Sequence, residues 1–163
     1  MNDVWVVNAS PVIALAKADR LHLLLDLCKE LLVPETVVAE ILAGPPSDPA
    51  RQALERGWGL AVVPHHIAPG LLEWGLGNGE TAVLAVAMER RPATAVLDDA
   101  AARTCAKALG IEVVGTLGVV LRAKRRDVIP SAADVLKALR VAGLHLDDKM
   151  VCSALEGIGE TWE

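Results

Sequence analysis

The side chains of this chain best suited to chemistry are acidic and amide groups placed where apolar runs give way to helices. Asn8 follows Trp5-Val6-Val7, and Asp98 and Asp99 follow the run Thr94–Leu97. Glu80 comes directly after the turn Gly77-Asn78-Gly79, and Glu40 sits in the segment Pro34–Ala43 beside Val37, Val38, Ile41 and Leu42, which read as core-facing. Their oxygens are of the kind that hard divalent cations take as ligands. Each also has a plainer explanation. Asn or Asp between a strand and a helix is most often an N-cap. A carboxylate at a helix start is stabilised by the helix dipole whatever its function, and Glu40 reads equally well as the solvated edge of an apolar stripe. The functional reading rests on convergence, which spacing alone does not establish.

The elements that must position these groups follow from the punctuation of the chain. Trp5–Val7 reads as a buried strand, and Ser10-Pro11 offers an N-cap with proline at the first helical position, predicting a helix from Pro11 to about Ala18. A short helix is expected around Leu21–Cys28, an apolar run at Leu31–Val33, and a helix over Pro34–Ala43 stopped by Gly44-Pro45-Pro46. Pro49–Arg56 has helical composition, Leu60–Val63 has strand character, and a helix should run from Glu80 to about Arg90. The second half repeats this grammar, with strands at Thr94–Leu97 and Glu112–Val114 around a helix from Asp98 to Leu109. Helices from Thr116 to about Arg126, Ser131 to Ala142 and Asp147 to Glu156 complete it, with Asp147 as a cap. Strands alternating with helices predict an α/β fold with a parallel sheet, whose ligand pocket lies beyond the carboxyl ends of the strands.

Composition narrows the functional classes. With 163 residues, 53% of them hydrophobic, the chain is the size of one domain, residues 1–163, and has ample material for a core. Phe and Tyr are absent and Trp5, Trp58, Trp74 and Trp162 are the only aromatics, which argues against base-stacking platforms; Trp58 and Trp74 read as core or dimer contacts. A net charge of −5 argues against a general nucleic-acid binder, so any such contact must be local. Cys28, Cys105 and Cys152 are widely spaced, odd in number and not preceded by a secretory signal, so reduced thiols in a cytoplasmic protein are expected. The apolar stretch Val4–Ala18 is broken by Asn8, Ser10, Pro11 and Lys17 and suits neither a membrane span nor a signal peptide. His65-His66 lacks further ligands at metal spacing, and no glycine-rich phosphate loop is present for a nucleotide enzyme.

Taken in order, these motifs resemble the PIN-domain family. Val7-Asn8-Ala9-Ser10-Pro11-Val12-Ile13 is similar to its opening, and Val33-Pro34 through Glu40-Ile41 to its second motif. Gly77-Asn78-Gly79-Glu80 resembles the third and Leu97-Asp98-Asp99 with Arg103 the fourth. Gly115-Thr116-Leu117-Gly118 resembles a signature of a branch related to the toxins of toxin–antitoxin pairs. The resemblance implies a Rossmann-like three-layer fold, a central parallel sheet flanked by helices, and Mg²⁺- or Mn²⁺-dependent cleavage of RNA. Carried over position by position, it implies Glu40, Glu80, Asp98 and additionally Asp99 as catalytic carboxylates and metal ligands. It also implies Asn8 as an amide ligand where the family commonly has Asp, and Asn8, Ser10, Arg103 and Thr116 as the residues nearest substrate. A homodimer and a small antitoxin partner are part of the same expectation.

The chemistry suits these residues. Mg²⁺ and Mn²⁺ keep several waters, so a few oxygens around an open cavity suffice, and hydrolysis aided by such a cation needs no side-chain nucleophile. Asn8 supplies an oxygen but no charge, which makes a catalytically weakened PIN-fold binding or regulatory module the alternative. Arg103 and Lys107 stand four apart and share a helix face where they could hold a phosphate, while Arg122, Lys124, Arg125 and Arg126 read as a solvated helix C-terminus.

Overall fold

The structure is a computed structural model describing residues 2–163. Its elements run β1 (Val4–Val7), α1 (Ala9–Lys17), α2 (His22–Leu27), β2 (Glu30–Pro34), α3 (Glu35–Leu42), α4 (Pro49–Glu55), β3 (Leu60–Val62) and α5 (Pro69–Leu72). They continue α6 (Asn78–Glu89), β4 (Ala93–Val96), α7 (Ala100–Ala108), β5 (Glu112–Val114), α8 (Thr116–Arg125), α9 (Ala132–Val141) and α10 (Asp148–Glu156). The strands form one sheet in the order β3-β2-β1-β4-β5, and every pairing is parallel. From β1 the chain steps outward to β2 and β3, then crosses to β4 and β5. Right-handed crossovers place the connections of the two halves on opposite faces, which is the expected three-layer architecture.

Burial explains which strands sit where. The central strands read as near-continuous apolar runs because both faces are covered: Trp5, Val6, Val7, Leu32, Ala95 and Val96 are fully buried. The edge strand β3 leaves Leu60 and Ala61 exposed. Helix α6 packs across β2, β1 and β4 and is buried from Thr81 to Ala87. A helix apolar on every side belongs inside a domain, and its small Ala residues let it lie close to the sheet. That burial fixes where its first turn, with Glu80, is held.

Several boundaries differ from the sequence reading for local reasons. Helix α1 starts at Ala9, so Asn8 and not Ser10 occupies the N-cap position, and Ser10 lies inside the first turn, exposed. The chain turns into α1 directly at the end of β1, because Asn8 N–H still pairs with Val96 O at 3.1 Å. Helix α6 starts at Asn78 with Gly77 as its cap, and α7 starts at Ala100 with Asp99 as its cap. The short α5 has no counterpart in the sequence reading; there proline occupies the first turn, where its missing N–H costs nothing.

One carboxylate of the C-terminal segment ties it to the start of α9. Glu160 accepts from Ala132 N–H, Ala133 N–H and the Ser131 hydroxyl, closing the start of α9. Burial pushes its pKa up, but the hydrogen bonds from Ala133, Ala132 and Ser131, with Lys124 nearby, outweigh burial and hold it below the ordinary 4.5. A carboxylate with a depressed pKa in the folded state contributes stability above its unfolded value and loses it as pH falls through its folded value. Glu160→Gln should therefore cost about 1 kcal/mol at neutral pH, the size of a lost helix cap. Urea unfolding at a series of pH values should show that deficit closing below about pH 4.5, where the wild-type carboxylate protonates.

Candidate functional site

The reversal of strand order places the ends of β1 and β4 side by side, Val7 in register with Val96, and the polar groups that follow them open onto the same edge of the sheet. Asn8 sits in an N-cap position yet makes no capping hydrogen bond. Its Nδ2 instead donates to Glu80 Oε1 at 3.2 Å, across 72 residues of sequence. This bond orients the amide, since the reverse orientation would set the carbonyl oxygen against a carboxylate. Asn8 is 4% exposed, and its Oδ1 is buried with no hydrogen-bond partner. Glu40, on the exposed side of α3, reaches the same place. A Cβ on Gly79 would stand 2.7 Å from Glu40 Oε1 and 2.9 Å from Asn8 Oδ1. Asn8 and Glu40 thus meet over Gly79, whose missing side chain leaves them room, and Glu80 joins them through its bond with Asn8. Within α3, Val37 and Ile41 are buried as expected, whereas Leu42 is 39% exposed and not core-facing.

A second cluster lies at the end of β4. Asp98 accepts from Thr116 N–H at 2.8 Å through Oδ1 and from the Thr116 hydroxyl at 2.6 Å through Oδ2, so its carboxylate is held by the first residue of α8. Arg103 donates to Leu97 O at 3.0 Å. A Cβ on Gly115 would fall 2.7 Å from Arg103 Nη1 and 3.0 Å from Asp98 Oδ1, and one on Gly118 would fall 2.5 Å from Val114 Cγ2. The Gly-Thr-Leu-Gly run therefore has a physical reading: its glycines give clearance to the guanidinium and carboxylate on one side and to β5 on the other.

The expected site residues are only partly gathered. Asn8, Glu40 and Glu80 meet; Asp98, Thr116 and Arg103 form the neighbouring group. Asp99 turns away and accepts from Ala102 N–H at 2.9 Å, which makes it the cap of α7. Among the described residues no three His, Cys, Asp or Glu side chains are gathered as a ready metal cluster. Two carboxylates and an amide oxygen thus form one group, with Asp98 on the adjacent strand end. Burial makes two of the thiols poor nucleophiles, pushing Cys28 up to about 11 and also raising Cys105. His65 pairs with Glu89 and stands apart.

Beyond Asp98 lies a cavity of about 790 Å³, bordered by Arg103, Lys107, Arg122 and Arg125. Arg122 is not the solvated cap that its place in a basic run suggested. It pairs with Glu112 at 2.8 Å and lies over the Trp5 ring at 5.8 Å. Nothing in local spacing reveals that α7 and α8 share this cavity.

A family model for the PIN domain matches residues 4–160, nearly the whole chain. The chain belongs to the PIN-domain family. Among solved structures it is similar to a PilT N-terminus domain protein from the hyperthermophilic archaeon Sulfolobus solfataricus P2, at 18% identity and a TM-score of 0.44, covering 88% of this chain and 97% of that one. No curated protein matches it. PIN domains are a nuclease-type fold, and here the polar clusters stand where a parallel sheet of this order binds its ligand. Among the described residues of this PIN domain, no helix is long and apolar enough to cross a membrane.

Thr116 is the hinge of the second cluster. Thr116→Val keeps the shape and the backbone bond but leaves Asp98 Oδ2 without its donor, and an unpaired, partly buried acceptor costs roughly 1–3 kcal/mol. Chemical denaturation should show a loss in that range, with the far-UV spectrum unchanged.

Proposed function

We propose that this PIN domain is a metal-dependent endoribonuclease in which Mg²⁺ or Mn²⁺ is held by the Asn8 amide oxygen and the carboxylates of Glu40 and Glu80, with Asp98 on the adjoining strand end. The observation that carries this reading is the buried Asn8 Oδ1, which has no donor yet shares the clearance over Gly79 with the Glu40 carboxylate. A buried acceptor beside carboxylates is costly unless something positive sits among them. A hard cation that takes few protein oxygens fits that donor set. When bound, it supplies a water of lowered pKa for attack on the phosphodiester and offsets charge on the phosphate. The chain's own groups do the rest. Thr116 keeps Asp98 oriented, and Arg103, anchored on Leu97 O, borders the cavity where a phosphate oxygen would meet its remaining N–H donors.

A cytoplasmic enzyme of this kind needs restraint, for which a small antitoxin-like protein is the proposed partner. Pairing as a homodimer is also proposed, and sedimentation at micromolar concentration tests it. The second reading, a binding module that has lost most catalysis, is favoured by one observation: Asn8 brings no charge where a third carboxylate would complete the set.

Cleavage of single-stranded and structured RNA with Mg²⁺, Mn²⁺ or a chelator separates these readings, since the nuclease loses all turnover in chelator and the module binds RNA without cutting it. Asn8→Asp should lower stability without metal, because it exchanges the hydrogen bond to Glu80 for like-charge repulsion. The same variant should gain more than the wild type in Tm on Mg²⁺ addition, since ligand charge raises affinity and binding to the folded state stabilises it. Asp98→Asn should abolish cutting with the fold intact. Equal metal response and equal cleavage in all three proteins would refute the metal site.

Gly79→Ala probes the clearance itself. Alanine gains up to about 1 kcal/mol of helix propensity over glycine, so the variant should stay folded. Its methyl would crowd Glu40 and Asn8 apart, and the rise in Tm on adding Mn²⁺ should be lost.

A further inference from the structure

The two edges of the sheet are protected unequally. At one edge, β5 carries Glu112, paired with Arg122, and its Val114 is buried. At the other edge, no charged residue occurs from Gly57 to Pro64, and among the described residues no backbone group outside β2 bonds to the backbone of β3. Leu60-Ala61-Val62-Val63 is an unbroken apolar run, the pattern of a strand covered on both faces. Its position contradicts its composition. Leu60 and Ala61 are neighbours on a strand and point to opposite faces, yet both are exposed, Leu60 to 53%. Val63, just past the end of β3, is 58% exposed, and Ile67, Leu72 and Trp74 follow it onto the surface. Five of the nine large apolar side chains left exposed among the described residues thus lie between Leu60 and Trp74. An uncharged, apolar, open strand edge is a liability to a folded chain unless another chain covers it.

We propose that a second copy of this chain covers this edge, the two β3 strands pairing antiparallel about a two-fold axis at Ala61 and joining two five-stranded sheets into one. An antiparallel strand pair is self-complementary, because each edge offers the other the same donors and acceptors, and one such contact closes a dimer. Charge favours this direction. Arg56, exposed and without an ion pair among the described residues, stands before the entry to β3. Glu89 lies near its exit, where it accepts from His66 N–H and pairs with His65. Antiparallel pairing brings the basic entry of each copy toward the acidic exit of the other, whereas parallel pairing sets entry against entry. The pairing gives the proposed homodimer its surface and depends on neither metal nor RNA. It points the carboxyl ends of the two sheets in opposite directions, so each candidate site is complete within its own chain.

The test is sedimentation of the full chain at micromolar concentration, in chelator and without nucleic acid, with hydrogen–deuterium exchange to locate the contact. The wild type should sediment as a dimer, and the amides of residues 60–63 should exchange more slowly in the dimer than in the diluted monomer. Leu60→Lys with Val63→Lys sets like charges across the contact and should raise the dimer Kd at least roughly tenfold. Both side chains are exposed, so the far-UV spectrum should be kept, and exchange of the wild type decides the matter even if the lysines disturb the fold. Leu25→Lys, 48% exposed on α2, should leave the dimer as it was. Arg56→Glu turns a carboxylate toward Glu89 and should also weaken the dimer; an unweakened dimer would overturn the antiparallel direction. A wild type that stays monomeric, a dimer whose slowed amides lie elsewhere, or one that the paired lysines leave intact would overturn the proposal. The monomer would leave the strip to an extended segment of another protein. A β3-paired dimer that cuts no RNA would keep this surface and refute the nuclease, and a nuclease that stays monomeric would do the reverse.

Discussion

Everything at the candidate site depends on the parallel pairing of β1 with β4. These strands are distant in sequence, and their pairing lies where the order of the sheet reverses. No crossover helix covers the gap between their carboxyl ends, because the connections from the two halves leave on opposite faces. Asn8 and Asp98 emerge into that gap, and the bond from Asn8 N–H to Val96 O carries the pairing to the residue that supplies the amide. Shifting this register by one residue would exchange the faces of all side chains on β1. Trp5, Val6 and Val7 are all buried, so the core itself resists such a slip.

Glycines then decide how closely the polar groups gather. At Gly79 and Gly115 the absent side chain matters more than backbone freedom, since neither has a positive φ and both leave room for charged atoms. Close approach without solvent between them raises the cost of like charges and unpaired acceptors. The two clusters meet that cost differently. Asp98 is satisfied by Thr116 within the protein, whereas Asn8 Oδ1 is left unsatisfied. One acceptor is therefore closed by a neighbour 18 residues away, while the other stays open.

The charge of the whole chain hides its local distribution. Acidic residues dominate the total, yet several basic side chains are neutralised in pairs, among them Arg122 with Glu112, Arg90 with Glu30 and Arg140 with Asp148. The Arg140–Asp148 pair also holds Trp162, whose ring lies 4.7 Å from the guanidinium, so it secures the C-terminal segment. Three of the cations left unpaired, Arg103, Lys107 and Arg125, border one cavity. Net charge therefore described solubility and said little about where a polyanion would lie.

What the sequence by itself determined are the features with a local cause. Periodic apolar runs, glycine stops and caps located the strands and most helices to within a residue or two, and alternation of strand and helix specified the parallel sheet. The identity of the family was legible as well, because its motifs lie in order along nearly the whole chain. Helix starts at the site were misplaced. Asn8, Ser10, Asp98 and Asp99 are all residue types that cap helices, and which of them caps depends on what the others touch. Only the tertiary structure could decide that Asp99 caps α7 while Asn8 forgoes capping for Glu80, since the competing partner lies 72 residues away. The same holds for the shared groove of α7 and α8: packing against β5 brings the two helices together, and the pattern along either helix carries no record of its neighbour.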